Sequence, residues 1–218
     1  GGAHQVVATD LRSVSLDGAS CVQGDLLDPN LVESLFTGRI GLVIHLAALL
    51  SSAGEQHPDL AWRINADATW NLMRQAMSHA EAHGHTLRFV YPSSIAVHGR
   101  NTSQSHPLSE DEAIAPRTLY GVTKRAMEQA GTWLSEECGR MLGHQTGATF
   151  DFRTIRYPGL LSAETLPTGG TSDYAPEMVR AAVRGEKASC FVPPHAQLPF
   201  MTMPEAAEAT LALASAPR

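Results

Sequence analysis

The stretch LRFVYPSS (Leu87 to Ser94) indicates the fold class of this sequence. Leu87 to Tyr91 is a short and mostly apolar run, and Pro92-Ser93-Ser94 closes it with residues that favour turns. A run of this kind between turn residues predicts a strand that is buried in a sheet.

Outward from this strand, short apolar runs alternate with longer helical patterns. Upstream, Leu42 to Leu46 is predicted as a buried strand, and Asp59 to about Met77 as a long helix whose apolar residues repeat every four positions. Downstream, Leu119 to Trp133 is predicted as a helix and Phe152 to Ile155 as a strand. Because this alternation is typical of βαβ units, we predict an α/β fold with a Rossmann-like, doubly wound parallel sheet.

The beginning of the sequence reads as a later part of such a fold. Gln5 to Thr9 is predicted as a strand that ends at Asp10, and Cys21 to Gly24 as the next strand. In a dinucleotide-binding fold, the strand that ends in an acidic residue about 20 residues after the glycine-rich turn is the second strand. We therefore expect a fragment that lacks the first strand and the glycine-rich turn, and that is also truncated at its C-terminus, after Arg218.

Composition and charge exclude several classes of protein. The chain of 218 residues has a formal net charge of -6, which argues against a nucleic-acid-binding surface. It contains no run of 18 or more apolar residues, so no membrane span is predicted. The three cysteines are far apart, which favours a reducing compartment. The histidines include one close pair, His83 and His85, with no further ligand at metal-binding spacing, so no metal site is expected.

The strongest local signal is the pentapeptide YGVTK (Tyr120 to Lys124). A spacing of four places Tyr120 and Lys124 on one helix face, where a nearby ammonium favours the phenolate and lowers the pKa of the tyrosine. Such a phenol can take a proton from a substrate hydroxyl. The alternative is a helix with a partly buried tyrosine and a solvated lysine. A hydroxyl of Ser93 or Ser94, about 26 residues upstream, could share the proton, although serine is also common in simple turns.

Three other segments are candidates for contacts with a nucleotide. Asp10, followed by Leu11 and Arg12, ends the first predicted strand, and its carboxylate could accept hydrogen bonds from ribose hydroxyls, which favours NAD over NADP. Asp25-Leu26 could touch an adenine ring, or it could form the entry to a helix that begins at Asp28-Pro29. Ala47 and Ala48 follow the apolar strand, which ends at Leu46, and their small side chains would let a flat cofactor or a packed helix approach the main chain. Leu46, Ala47 and Ala48 are therefore candidates for cofactor contacts.

Taken together, these motifs resemble the extended short-chain dehydrogenases, in their order and spacing. They are Asp10, Asp25-Leu26, HLAA (His45 to Ala48), Asn65, YPSSIAVHG (Tyr91 to Gly99), YGVTK (Tyr120 to Lys124) and RYPG (Arg156 to Gly159). Further phrases are similar to the L-threonine dehydrogenase branch of that superfamily. They are AALLSSAGE (Ala47 to Glu55), PSSIAVHG (Pro92 to Gly99), TLYGVTK (Thr118 to Lys124), IRYPGLLS (Ile155 to Ser162) and GGTSDYA (Gly169 to Ala175).

The resemblance implies NAD-dependent oxidation of the threonine side-chain hydroxyl to 2-amino-3-ketobutyrate. In that case Tyr120 is the base, Lys124 tunes it and holds the nicotinamide ribose, and Ser94 orients the hydroxyl with Ser93 as a substitute. The resemblance also implies roles for several other residues: Ser51, Thr171 and Ser172 hold the amino-acid head group, Tyr157, Pro158 and Leu160 line the nicotinamide pocket, and Asn65 acts through structure or a bound water.

Two domains are expected, an NAD-binding Rossmann-like domain over residues 1–158 and a partial substrate-binding lobe over 159–218. The lobe contains two predicted helices, Tyr174 to Arg184 and Pro204 to Ala214. The expected partners are a small amino-acid substrate and a second copy in a homodimer, with no nucleic acid and no membrane. The expected location is the cytoplasm, or the mitochondrion if a transit peptide has been lost.

Two other functions remain open at this point. The first is an NDP-sugar epimerase or dehydratase, or a sugar-acid dehydrogenase, of the same superfamily. The second is a non-catalytic NAD-binding scaffold. Such scaffolds usually lose the tyrosine or the lysine, and this sequence retains both Tyr120 and Lys124.

Overall fold

The computed structural model describes residues 5–99, 109–112, 114–138, 150–164, 166, 170, 172–194 and 196–218. Thr171 and most of the Gly-rich stretch 136–150, whose sequence looks like an insertion between a helix and a strand, lie outside these ranges. Within them, no helix combines the length and the apolar character that crossing a membrane requires. The three cysteines are free thiols.

Seven strands and seven helices are described. The strands are β1 (Val6–Asp10), β2 (Ala19–Gln23), β3 (Leu42–Ile44), β4 (Leu87–Ser94), β5 (Phe150–Tyr157), β6 (Gly159–Leu161) and β7 (Phe200–Thr202). The helices are α1 (Pro29–Leu35), α2 (Ser51–Gln56), α3 (Pro58–Trp62), α4 (Thr69–His83), α5 (Leu119–Thr132), α6 (Tyr174–Arg184) and α7 (Met203–Ser215). Shorter π-helical turns join α3 to α4 (Arg63–Ala68) and extend α5 (Trp133–Glu137).

Every pairing between the described strands is parallel, which confirms the predicted sheet type. The central sheet has the order β3-β4-β5, while β1 pairs with β2 and β6 pairs with β7. The register of β4 and β5 places Ser94 opposite Tyr157 at their carboxyl ends. Because ligands of open α/β sheets bind at the carboxyl ends of strands, this end of the sheet is where a site is expected.

The core lies between the central sheet and the helices α4 and α5. Phe89, Phe150 and Leu87 are fully buried there, with Met73 of α4 against them. Gly131 of α5 allows a close approach to the sheet, because a Cβ at this position would lie 2.2 Å from the ring of Phe152. The missing side chain therefore sets the spacing between α5 and β5.

On the opposite face, α7 is held by its carboxyl end. Arg88 of β4 donates to the carbonyl of Ala214 at 2.9 Å. Arg153 of β5 donates to the carbonyls of Leu213 and Ala216, each at 2.6 Å. Asp151 accepts two hydrogen bonds from Arg153, at 3.1 and 2.7 Å. These guanidinium groups satisfy carbonyls that the end of a helix leaves without partners.

The structure differs from the predicted elements mainly in the segment before β4. The predicted helix from Asp59 to Met77 begins at Pro58, contains a π-helical turn and continues to His83. The helix α2 before it was not predicted, because its small and polar residues show no apolar period. It is held by tertiary contacts: Gly54 packs on Ala61, and Glu55 accepts a hydrogen bond from the main chain of Leu119 at 2.6 Å.

Candidate active site

The first turn of α5 is fixed against the end of β4. Thr118 caps the helix, and its hydroxyl accepts a hydrogen bond from the main-chain nitrogen of Gly121 at 3.0 Å. Gly121 lies against the turn that follows β4, since a Cβ here would meet the carbonyl of Ala96 at 2.2 Å. This contact brings Tyr120 to the end of the strand that carries Ser94.

Tyr120 and Ser94 form the pair that the sequence predicts. The Ser94 side chain lies near enough to the Tyr120 phenol to affect its pKa, and Ser94 Oγ accepts a hydrogen bond from the main-chain nitrogen of Ala96 at 3.2 Å. Burial raises the pKa of Tyr120, and the neighbouring Ser94 side chain offsets part of that effect. The phenol is therefore placed to exchange a proton with a group held at Ser94.

Lys124 is buried, which excludes the alternative of a solvated lysine. Its side chain is 4% exposed, and Nζ donates to the carbonyl of Pro92 at 2.6 Å. The ammonium lies 4.6 Å from the ring centroid of Tyr91 and 5.6 Å from that of Tyr120. Burial lowers the pKa of Lys124 to about 8, and the charge of Glu128 opposes this shift.

The structure does not bear out the expected effect of Lys124 on the pKa of Tyr120. The net shift of the Tyr120 pKa is upward, because burial of the phenol outweighs the effect of the Ser94 side chain. The ammonium itself is engaged by the Pro92 carbonyl and the Tyr91 ring. Tyr120 and Lys124 lie in one buried site, but they are not in hydrogen-bonded contact.

Sequence reasoning missed a buried ion pair beside this site. Arg156 of β5 donates to both carboxylate oxygens of Glu128, each at 2.8 Å, and Arg125 donates to one of them at 2.9 Å. Burial would raise the pKa of Glu128, but hydrogen bonds from Arg156, Ser93 and Arg125 outweigh it and lower the pKa overall. The signal that could have found Glu128 is its spacing of four from Lys124.

Ser93 faces this ion pair and not Tyr120. Its hydroxyl is buried and makes no hydrogen bond of ordinary geometry, although it lies near enough to Glu128 to help lower the pKa of that carboxyl. Successive residues of a strand point to opposite faces of the sheet. The two serines therefore lie in different environments, and Ser94 alone is paired with the candidate base.

Asn65 holds the segment that follows β3. Its side-chain oxygen accepts from the main-chain nitrogen of Leu49 at 2.7 Å, and its side-chain nitrogen donates to the Leu49 carbonyl at 2.9 Å. Asn65 lies in the π-helical turn, a feature that is frequent at functional sites. Leu46 and Ala47 are exposed just before this clamp, so an open apolar surface is available at the end of β3.

Asp10 ends β1 with an accessible carboxylate. The side chain is 43% exposed, and Oδ1 accepts from the main-chain nitrogen of Arg12 at 2.8 Å. The side chain of Arg12 is close as well, with Nε 3.6 Å from the same oxygen. Leu11 between them is exposed.

Asp25 has a clear structural task. Its Oδ1 accepts from the main-chain nitrogen of Leu27 at 2.9 Å, and Asp28 caps α1 through a hydrogen bond from Asn30 with Pro29 in the first turn. This matches the alternative of a helix-entry turn, and it confirms the predicted start of the helix. Leu26 is partly buried against the core, and its contact with an adenine ring stays a prediction.

Tyr157 does not line a cofactor pocket with its side chain, which corrects that part of the expectation. Its phenol donates to the carbonyl of Ala206 at 3.2 Å and is hydrogen-bonded to the hydroxyl of Thr210, so the ring is directed at α7. Pro158, which follows at the end of β5, is partly buried. Leu160 follows in β6 and is partly exposed.

The residues expected to hold a substrate head group are only partly placed. Ser51 is the first residue of α2 and is half-buried. Ser172 lies against β6, since a Cβ on Gly159 would meet its Cβ at 3.0 Å. Thr171 lies outside the described residues. Across the described ranges, no group of three or more histidine, cysteine, aspartate or glutamate side chains is arranged to hold a metal ion.

The donor set fits a dinucleotide at the carboxyl ends of β1, β3 and β4. Asp10 offers an acceptor for ribose hydroxyls, Ala47 lies on an exposed apolar surface, and Lys124 brings a positive charge beside Tyr120. The sequence contains no G-x-x-G-x-x-G turn, so these residues do not supply the usual contact with a pyrophosphate.

Comparison with known proteins finds dehydrogenases and epimerases that are similar to this chain in sequence and fold. The mitochondrial L-threonine 3-dehydrogenase of Bos taurus is 34% identical over 99% of this chain and 54% of its own length. The holo form of an L-threonine dehydrogenase from Cupriavidus necator superposes with a TM-score of 0.79 at 33% identity, covering 97% of this chain and 64% of that one. A nucleoside-diphosphate-sugar epimerase from Agrobacterium tumefaciens gives a TM-score of 0.79 at 25% identity, covering 96% and 59%.

This chain therefore spans about half the length of the curated bovine relative. Residues 2–218 match one family along almost the whole sequence. That match, the identity to the bovine enzyme and the position of Tyr120 beside Ser94 and Lys124 lead to the same assignment. The chain belongs to the NAD dependent epimerase/dehydratase family.

Proposed function

We propose that the protein containing this chain oxidises the side-chain hydroxyl of L-threonine to 2-amino-3-ketobutyrate with NAD. The observation that carries the proposal is the position of Tyr120 next to Ser94 at the end of β4, with the buried Lys124 beside it. The names of the bovine and Cupriavidus relatives support threonine as the substrate.

The proposed reaction uses three side chains of this chain. Ser94 holds the substrate hydroxyl by a hydrogen bond, and Tyr120 takes the proton from that hydroxyl as general base. For this step Tyr120 must start as the phenolate, and the positive charge of Lys124 would stabilise that phenolate until it accepts the proton. When bound, NAD would accept the hydride from the carbon that carries this hydroxyl.

Binding is assigned to groups around this centre. Asp10 would accept hydrogen bonds from the adenosine ribose, and Asn65 would keep the main chain near Leu49 in place for the cofactor. Ser51, Thr171 and Ser172 would hold the ammonium and carboxylate of threonine. A compact set of hydroxyls suits a small zwitterion, whereas a nucleotide sugar requires an extended groove.

The sharpest test replaces the base in the complete protein. Tyr120→Phe should lower kcat/KM for L-threonine by about 10²- to 10⁴-fold, because general-base catalysis contributes on that order. Tyr91→Phe is the matched control: it removes a buried hydroxyl that has no hydrogen-bond partner among the described residues and keeps the ring near Lys124, so activity should be retained. Full activity in Tyr120→Phe would refute the mechanism.

A panel of substrates separates the other functions. The likeness to the Agrobacterium epimerase motivates UDP-sugars as the second substrate class. NADH formation with L-threonine supports the proposal, and turnover of UDP-sugars alone would replace it with an epimerase or dehydratase. Binding of NAD with no turnover of any panel member would indicate a scaffold.

Assembly and location are part of the proposal. We expect a homodimer formed by α5 and by the long helical segment from α3 to α4. Large apolar side chains that are exposed on these helices support it: Leu60, Trp62, Val122 and Trp133. Light scattering coupled to size-exclusion chromatography should give the mass of a dimer, and the mass of a monomer would contradict this expectation. The expected location remains the cytoplasm, or the mitochondrion in a eukaryote.

A further inference from the structure

Glu128 is a buried charge that the proposed reaction does not use. It follows Lys124 by one helical turn on α5, so Tyr120, Lys124 and Glu128 are spaced by four and share a face. The residue is 3% exposed. A buried carboxylate is costly even when it is paired, so its place next to the site calls for a reason other than stability.

We propose that Glu128 is a positioning residue for Lys124: its negative charge keeps the buried ammonium protonated beside Tyr120, while Arg156 and Arg125 hold the carboxylate ionised and in place. The inference rests on the proposed function, in which Lys124 acts as a cation. It adds a residue that touches neither substrate nor cofactor, because both carboxylate oxygens are taken by guanidinium groups.

The other groups around Lys124 cannot supply this charge. His45, which directly follows β3, is neutral, because burial, with a smaller contribution from Lys124, lowers its pKa to about 3. From β4, Tyr91 is neutral because burial raises its pKa, and Pro92 offers only a carbonyl dipole. Tyr120 has its pKa raised by burial as well. Glu128 is the charged group whose effect on Lys124 opposes burial.

Arg156 and Arg125 determine in which direction each variant should shift the pKa of Lys124. With Glu128 ionised, one negative charge lies between Lys124 and two guanidinium groups. Neutralising Glu128 leaves Arg156 and Arg125 near the ammonium with no anion between them, so Lys124 should release its proton more readily. Removing Arg125 alone should have the opposite effect, because the field of Glu128 is then less compensated.

The titration of Lys124 can be followed without any activity assay. The only lysines of this sequence are Lys124 and Lys187. In the complete protein labelled with [13Cε]lysine, the Lys124 resonance is assigned with Lys124→Arg and its midpoint is read by NMR. Glu128→Gln should lower the midpoint by about one pH unit or more. Glu128→Asp should restore most of it, and Arg125→Gln should raise it.

Asp151→Asn is the matched control. Asp151 is also a buried carboxylate held by arginines, Arg153 and Arg88, but at the other end of β4 and β5. It should cost a similar amount of thermal stability and leave the Lys124 midpoint unchanged. An unchanged midpoint in Glu128→Gln, or an equal change in Asp151→Asn, would overturn the inference. If Glu128→Gln does not fold, a fall or no change in Arg125→Gln overturns it.

The pH profile of kcat/KM for L-threonine connects this result to catalysis. In Glu128→Gln the alkaline limb should move to lower pH, because the cationic Lys124 is lost earlier. If the NMR midpoint moves as expected but no form of the protein oxidises threonine, the role of Glu128 is supported and the proposed substrate is refuted. Failure of the inference about Glu128 and failure of the proposed function therefore give different results.

Discussion

The central sheet and the β1–β2 pair are both parallel, yet they are built differently. In β4 the residues Leu87, Phe89 and Val90 are fully buried between two layers of helices. In β1, Val6 and Val7 are 54% and 51% exposed. Within this chain, the central sheet therefore buries more apolar surface than the β1–β2 pair, which ends in the accessible carboxylate of Asp10.

The largest effect should come from the core of the central sheet. Phe89→Ala removes a fully buried ring that packs against Phe150 and Phe152, and it should lower the free energy of unfolding by about 3–5 kcal/mol. Val7→Ala in β1 is the control, with an expected loss below about 1 kcal/mol because half of the side chain is already exposed. Urea denaturation measures both, and equal losses would contradict the comparison.

A smaller effect on stability should come from lowering the pH, because His45 directly after β3 is then protonated. His45 is buried and hydrogen-bonded to the Thr69 hydroxyl at 2.9 Å, and burial lowers its pKa to about 3 from 6.5. The unfolded chain therefore binds the proton first as the pH falls. The stabilisation from neutral His45 is complete above about pH 6.5 and is lost progressively towards pH 3, with about 2 kcal/mol lost at pH 5.

The measurement is the free energy of unfolding of the wild type and of His45→Asn at pH 7.5 and pH 5. The difference between the two proteins should shrink by about 2 kcal/mol at the lower pH, because the variant has no titrating group at this position. A difference that does not depend on pH would show that His45 is not the linked group.

The smallest change should occur at the edge of the β1–β2 pair. Asp10→Asn should weaken NAD binding by about tenfold, since a hydrogen bond to a charged group contributes roughly 1.5 kcal/mol, and should leave stability nearly unchanged. Isothermal titration with NAD and NADP on the complete protein tests this, with Asp17→Asn in the β1–β2 connection as control. A loss of stability with unaltered affinity would assign Asp10 to the fold and not to the cofactor.

The local part of the structure was predictable because short-range physics determines it. Asp28 and Pro29 start α1 as predicted, α6 has the predicted limits, and the spacing of Tyr120 and Lys124 places them on one helix face.

The remainder depends on contacts between residues that are distant in the sequence. No local pattern shows that Arg156 reaches Glu128 across 28 residues, or that the Tyr157 ring is directed at α7. The π-helical turn at Asn65 is a similar case, because its apolar period is that of an ordinary helix. The upward shift of the Tyr120 pKa was also not predicted, because the spacing reveals the neighbouring lysine but not how deeply the phenol is buried.

The anchoring of α7 has a consequence for how this protein can vary among relatives. Arg88 and Arg153 recognise main-chain oxygens, which every amino acid carries, so the side chains at Leu213, Ala214 and Ala216 can change without loss of the anchor. The two arginines have no such freedom, because a lysine lacks the planar fork that reaches several acceptors at once. Among relatives, substitutions should therefore be frequent at the residues of α7 that offer these carbonyls and rare at the two arginines.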